Sequence, residues 1–191
     1  MRASLAGIVF CWAFAVSAAD PQYVGLTVNG LRISDLAAWE RLVGQPLEGK
    51  AKDEPIAGLK ETGLPYVAIY NSSKSELLVL QKWYGGYVGD GFQQALLIKA
   101  PLKAPEAYRA KVDHFTINAT VRLGISATAL TERLGSPRKI LEQGPSKSYV
   151  YGQRGDGSEV EKMQGKYLLD FAEFTFERDR LVKLYFGQLY P

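Results

Sequence analysis

Few residues of this chain could do chemistry, and His114 is the first to consider because it is the only histidine. A serine hydrolase needs a histidine between a serine nucleophile and a carboxylate, but the sequence contains no Gly-x-Ser-x-Gly elbow. A metal site built on histidine and cysteine needs several such ligands, and the chain has one of each. We therefore interpret His114 as a half-buried polar residue of a linker.

Carboxylates offer another possible acid–base pair. Glu173 and Glu177 share one face of a predicted strand, and Asp170 lies close on the other face. Paired carboxylates can serve as general acid and base. However, these residues alternate with three phenylalanines, which is more typical of an amphipathic strand.

Two short segments look like known signatures by composition. Residues 85–91 are rich in glycine, but they lack the Gly-Lys-Ser/Thr of a phosphate-binding loop and no helix is predicted after them. The tripeptide Arg154-Gly155-Asp156 spells an adhesion motif inside a polar loop. We expect a hairpin loop at 85–91 and a coincidence at 154–156. The sequence thus predicts no catalytic residue, no cofactor and no metal.

The elements that must position all side chains occur twice, at an offset of about 90 residues, which is typical of one supersecondary unit used twice. Leu-Thr-Val-Asn returns as Phe-Thr-Ile-Asn, and two further segments return with it. The matched segments are 26–29 with 115–118, 33–34 with 125–126, and 40–46 with 132–137.

Each copy predicts a helix followed by strands. Ser34 and Ser126 are candidate N-caps, and Gly44 and Gly135, each followed by a proline two residues later, are typical of helix ends. After each helix the apolar period changes to two, which indicates strands. The predicted strands are 66–70, 76–84, 93–99, 148–151, 168–177 and 181–187.

The predicted fold class is α+β, with two tandem helix-plus-antiparallel-meander repeats and the helices packed on one face of an antiparallel sheet. Prolines at 101 and 105 place the boundary near Leu102. The first repeat then covers residues 20–102 and the second covers 103–191. Whether the two sheets join edge to edge stays open.

The first 19 residues resemble an export signal. Arg2 precedes an apolar stretch at 5–16, and small residues at 17–19 permit cleavage before Asp20. We therefore expect a periplasmic or secreted protein. Cys11 is the only cysteine and lies within this signal, so the mature chain would carry no disulfide. It follows a phenylalanine rather than the small residue of a lipoprotein signal, so we expect no lipid anchor.

The charge balance excludes some partners. Lysine plus arginine is 23 and aspartate plus glutamate is 20, without a basic block. A nearly neutral exported chain is a poor nucleic-acid binder. No segment beyond the signal is long and apolar enough for a membrane span, so we expect no membrane insertion.

The second copy carries a family resemblance. Leu-Gly-Ile-Ser at 123–126, Leu-Gly-Ser-Pro at 134–137, Tyr-Val-Tyr at 149–151 and Leu-Asp-Phe at 169–171 follow in order. This pattern resembles the repeat shared by the small outer-membrane assembly lipoproteins of the SmpA/OmlA type and by the beta-lactamase inhibitor protein. The tandem duplication is most similar to the inhibitor protein, which implies a concave sheet that grips a partner enzyme.

Aromatic side chains are the positive signal for binding. Tyrosine and tryptophan bury a large area and keep a polar tip, so they recur at interface hot spots. If Val67 and Ile69 face the helix, Tyr66 and Tyr70 face outward; the alternative is that half or more of the rings are core. The candidate partner-binding residues are Tyr66, Tyr70, Trp83, Tyr84, Tyr87, Asp90, Tyr149 and Tyr151.

Together these observations predict an exported protein, monomeric or weakly dimeric, that binds and inhibits or neutralises a partner enzyme or toxin. The alternative is a cell-envelope assembly or scaffolding factor, as the SmpA/OmlA resemblance implies. An enzyme or small-ligand carrier is the third possibility, and the shortage of histidine and cysteine argues against it.

Overall fold

A computed structural model describes residues 27–47, 65–82, 91–101, 107–152 and 169–189. These residues form ten β-strands and two α-helices. In chain order the elements are β1 (Thr27–Val28), β2 (Leu31–Arg32), α1 (Leu36–Val43), β3 (Tyr66–Tyr70), β4 (Glu76–Gln81), β5 (Gln94–Lys99), β6 (Tyr108–Arg109), α2 (Ala127–Leu134), β7 (Lys139–Gln143), β8 (Ser146–Gly152), β9 (Leu169–Glu177) and β10 (Arg180–Leu189).

Eight strands form one sheet in the order β6-β3-β4-β5-β10-β9-β8-β7. All neighbours are antiparallel except β6, which pairs parallel to β3. The middle of the sheet is the pairing of β5 with β10, where Leu97 lies opposite Leu184. β1 and β2 form a separate two-stranded hairpin.

The predicted α+β class of two helix-plus-meander repeats is wrong. Of the residues that the structure describes, 46% lie in strands and 14% in helices, and the fold is mostly β around one large sheet. Each helix has only eight residues, whereas eight of the strands form one sheet. The pairing of β5 with β10 joins the two halves, because two separate meanders would each leave an unpaired strand edge there. The predicted boundary near Leu102 falls outside the described residues.

Of the two N-cap residues that the sequence predicted, one is confirmed and one is wrong. Ser126 caps α2 as predicted, because its Oγ accepts a hydrogen bond from the Ala129 amide at 3.1 Å. The cap of α1 is Asp35 rather than the predicted Ser34, since the Asp35 carboxylate accepts from the Ala38 amide at 2.9 Å. Serine and aspartate both accept well from the amides of a first helical turn, so the sequence alone could not decide between Ser34 and Asp35 as the N-cap.

The two Thr-x-Asn segments of the matched sequences pair with each other. The Asn29 amide donates to the Thr116 carbonyl at 2.7 Å, and the Asn118 amide donates to the Thr27 carbonyl at 3.0 Å. The asparagine side chains add a second pair of bonds between the segments. Asn118 Oδ1 accepts from the Thr27 amide and Asn29 Oδ1 accepts from the Thr116 amide, both at 2.9 Å. Each asparagine has a positive φ, 51° at Asn29 and 47° at Asn118.

The sheet has two different faces. The helix face packs on α1 and α2 and carries the main core, in which Trp39 and Leu130 from the helices meet Ile69, Leu97 and Phe174 from the strands. The second face carries a smaller apolar cluster. The buried members of this second cluster are Tyr66, Ala68, Tyr70, Leu77, Val79, Leu96, Phe171 and Tyr185.

Candidate functional site

Tyr66 and Tyr70 lie on the second face, opposite Val67 and Ile69, which belong to the helix-face core. The expectation that they are exposed is wrong, because the exposed fraction is 5% for Tyr66 and 8% for Tyr70. Neither hydroxyl has a hydrogen-bond partner among the described groups. Burial raises the pKa of Tyr70. Both rings therefore contribute to the packing of the protein itself.

Tyr149 and Tyr151 lie on the helix face, so they do not share a surface with Tyr66 and Tyr70. The Tyr151 hydroxyl donates to the Gly135 carbonyl at 3.0 Å, and its ring meets Phe174 edge-on at 5.5 Å between centroids. Burial raises the pKa of Tyr151 to about 12. Tyr151 therefore ties the end of α2 to the sheet, whereas Tyr149 packs against Phe176 of β9.

The predicted aromatic surface is therefore not assembled by the tyrosines that the structure describes. Alternation along a strand predicted which side chains share a face, but it could not predict what covers that face. The other four candidates, Trp83, Tyr84, Tyr87 and Asp90, lie outside the described residues.

A buried carboxylate contacts the one histidine. His114 Nδ1 lies 2.9 Å from Glu76 Oε1, and Glu76 Oε2 accepts from the Phe115 amide at 2.7 Å. A carboxylate that holds an imidazole in one orientation is a component of several catalytic sites. Within the described ranges, however, no nucleophile is hydrogen-bonded to His114 and no cluster of potential metal ligands occurs.

The same region contains a buried asparagine that ties two segments together. Asn71 Nδ2 donates to the Asp113 carbonyl at 2.6 Å, and Asn71 Oδ1 accepts from the amides of Ser75 and Glu76 at 2.9 and 3.0 Å. These bonds join the β3–β4 turn to residues 113–115. The arrangement therefore anchors the chain, and Glu76 and Asn71 were not singled out from the sequence because their burial is tertiary.

One part of the second face is accessible to a partner. Leu141, Ser148, Thr175 and Lys183 lie side by side across β7, β8, β9 and β10, and we call this row the open strip. All four side chains are partly exposed. The Ser148 and Thr175 hydroxyl oxygens are 3.0 Å apart. The open strip thus presents an aliphatic group, two hydroxyls and an ammonium group in one line.

The open strip was not predicted from the sequence. Leu141 belongs to a strand of mostly polar residues that was not predicted, and serine and threonine do not mark a binding face by type. No helix in the described ranges is long and apolar enough to span a bilayer. No protein-family model, curated protein or solved structure matches the chain.

Proposed function

We propose that this chain is an exported protein that binds a partner protein through the open strip and thereby inhibits or neutralises an enzyme or toxin. The open strip is the observation that carries the proposal. An antiparallel sheet can bury one face and leave the other for contacts. Serine and threonine hydroxyls form adaptable hydrogen bonds at protein interfaces, and the aliphatic Leu141 adds apolar area.

The shape of the open strip favours a protein over a small molecule. Its four strands lie about 4.8 Å apart, so the row extends about 14 Å across the sheet. Small ligands bind in concave pockets that enclose most of their surface, whereas protein partners bind broad, flat areas.

Export and inhibition have separate support. The n-region, apolar stretch and small residues of 1–19 support transport to the periplasm or medium. Inhibition is supported by the resemblance of 123–137 to the repeat of the beta-lactamase inhibitor protein. The same resemblance also supports an envelope assembly or scaffolding role of the SmpA/OmlA kind, against which stands the lack of a lipid-anchor cysteine.

The test is capture of the partner from periplasmic extract and culture supernatant by the tagged mature chain. Ser148→Arg projects a long cation from the open strip, and its two cross-strand neighbours, Leu141 and Thr175, are uncharged. It should therefore abolish capture while the melting temperature stays nearly unchanged. Thr128→Arg adds the same cation at an exposed position of α2 and should capture normally.

The identity of the captured protein then separates the two roles. A single stoichiometric enzyme that is inactive while bound would support inhibition, and outer-membrane assembly components would support scaffolding. Equal capture by both arginine variants would refute binding through the open strip.

A further inference from the structure

The outer edge of β7 has no strand partner within the described ranges, since β7 is the last strand of the sheet. Four of its five residues are exposed. Ile140, near its middle, is 49% exposed and is the one large hydrophobic side chain that is exposed in the described part of the chain. An accessible strand edge with an apolar residue is a template for pairing with another strand.

The geometry of the β7–β8 hairpin shows which backbone groups are free to pair. Gln143 and Ser146 close a two-residue turn at Gly144-Pro145, and Gly144 has a φ of 58°, as a type II′ turn requires of its first central residue. Hydrogen-bonded and non-hydrogen-bonded pairs alternate from the turn. The N–H and C=O groups of Ile140 and Glu142 therefore point away from β8.

The usable edge has a defined length. At its far end the Arg138 amide donates to the Val150 carbonyl at 2.9 Å, while Lys139 is the residue registered opposite Val150. Two residues facing one form a β-bulge, which bends the strand. The straight edge thus runs from Lys139 to Gln143, between a bulge and a turn.

We propose that β7 pairs antiparallel with β7 of a second copy of this chain, with the twofold axis at Leu141. In this register Leu141 lies opposite Leu141 of the second copy, Ile140 opposite Glu142, and Lys139 opposite Gln143. Every residue of the edge is paired, no like charges are opposed, and the two Ile140 side chains become diagonal neighbours.

The neighbouring registers are less favourable. A shift that centres the axis on Glu142 places two carboxylates directly opposite each other, which destabilises a strand pair. A shift that centres it on Ile140 brings the bulge into the pairing and leaves only three residues in a regular ladder. The edge is therefore self-complementary in one register.

The pairing extends the functional surface. A twofold axis perpendicular to the sheet keeps the second faces of both copies on the same side. Since each open strip ends at Leu141, the two strips meet at the axis and form one continuous row. The dimer itself does not depend on the proposed function, and its test is independent of any partner.

Cross-linking tests the register directly. The only cysteine is Cys11, so Leu141→Cys in a Cys11→Ser background carries a single thiol. Non-hydrogen-bonded antiparallel pairs have Cα atoms about 4.5 Å apart, within the range of a disulfide. Oxidised glutathione should therefore convert most of this variant to a covalent dimer on a non-reducing gel.

The matched control is Ser148→Cys in the same background. Ser148 lies opposite Leu141 on the same face but one strand further in, so the two copies of it would be about 14 Å apart. It should stay monomeric. Equal cross-linking of both variants, or of neither, would overturn the proposal.

A second measurement avoids engineered thiols. Proline is tolerated on an edge strand where the lost N–H faces outward, so Ile140→Pro should preserve the fold and prevent pairing. Ile140→Glu should weaken the dimer at least about tenfold, equivalent to about 1.4 kcal/mol, by opposing two carboxylates. Sedimentation equilibrium of the wild type over a concentration series should show a dimer. A wild type that stays strictly monomeric would refute the proposed pairing.

Discussion

Replacing Asn71 by aspartate tests the polar tie between the β3–β4 turn and residues 113–115. Asn71 is fully buried, and the substitution keeps the shape of the side chain while it replaces the amide NH2 by an oxygen. Asn71 Oδ1 can still accept from the amides of Ser75 and Glu76. The hydroxyls of Ser73 and Ser75, which accept from Asn71 Nδ2 at 3.0 and 3.1 Å, can turn to donate to the new oxygen. The Asp113 carbonyl cannot donate, and it faces the new oxygen across a contact that is 2.6 Å long in the native protein.

The cost follows from the lost donor and the buried charge. An unmade hydrogen bond at a buried group costs about 1–3 kcal/mol, and more when the group is charged. Two acceptors then face each other without a proton. We expect Asn71→Asp to lower the free energy of unfolding by about 3 kcal/mol at neutral pH.

The loss should depend on pH with a definite sign. Burial and the facing carbonyl raise the pKa of the new carboxyl in the folded state, because both disfavour its charged form. The folded state then binds the proton more tightly than the unfolded state, so the deficit is greatest at neutral pH and shrinks as the pH falls towards the ordinary aspartate value of about 3.9. A protonated carboxyl can also donate to the Asp113 carbonyl.

Urea unfolding, followed by tryptophan fluorescence at neutral pH and at about pH 4, measures both effects. Gln45→Glu makes the same amide-to-carboxyl change at an exposed position after α1 and should change the free energy of unfolding by less than about 0.5 kcal/mol. If Asn71→Asp behaved like Gln45→Glu, with no dependence on pH relative to the wild type, the tie would not stabilise the fold.

Substitutions at two further positions test other contacts. Asn118→Gly removes the acceptor for the Thr27 amide but tolerates the φ of 47°, so it should lower the free energy of unfolding by about 1 kcal/mol. Asn118→Ala also removes the acceptor and adds backbone strain of about 1 kcal/mol or more. Equal urea midpoints for the two variants would contradict this. Tyr151→Phe should cost about 1 kcal/mol at neutral pH through the lost bond to Gly135. Because the pKa of Tyr151 is raised from 10.0 to about 12 in the folded state, the wild type should lose this advantage between those pH values, and a difference that stays constant on alkaline titration would refute the assignment.

The sequence predicted features that depend on a few neighbouring residues. The strand at 66–70 is confirmed with its bounds, because alternating tyrosines and aliphatic residues fit a pleated surface. Gly44 and Gly135 end their helices with φ values of 82° and 78°, which a residue without a Cβ adopts at little cost. Strand alternation and helix ends of this kind depend only on residues that are close together in the sequence.

The open strip could not be predicted in the same way. Leu141, Ser148, Thr175 and Lys183 come from four strands, and they become neighbours only through the registers of the strand pairs. The strand that contributes Leu141 was missed, because an exposed edge strand lacks the apolar alternation by which strands are recognised.

What the sequence determined by itself is therefore the local structure: which segments extend, where helices stop, and which residues of one strand share a face. Only the tertiary structure decided that β5 pairs with β10 and makes one sheet out of two halves. It also decided that Tyr66 and Tyr70 are buried, that Tyr151 faces α2, and that β7 is the last of the described strands in the sheet. The reason is physical, because burial and strand pairing depend on residues far away in the chain, and alternation specifies the side of a strand but not its neighbour.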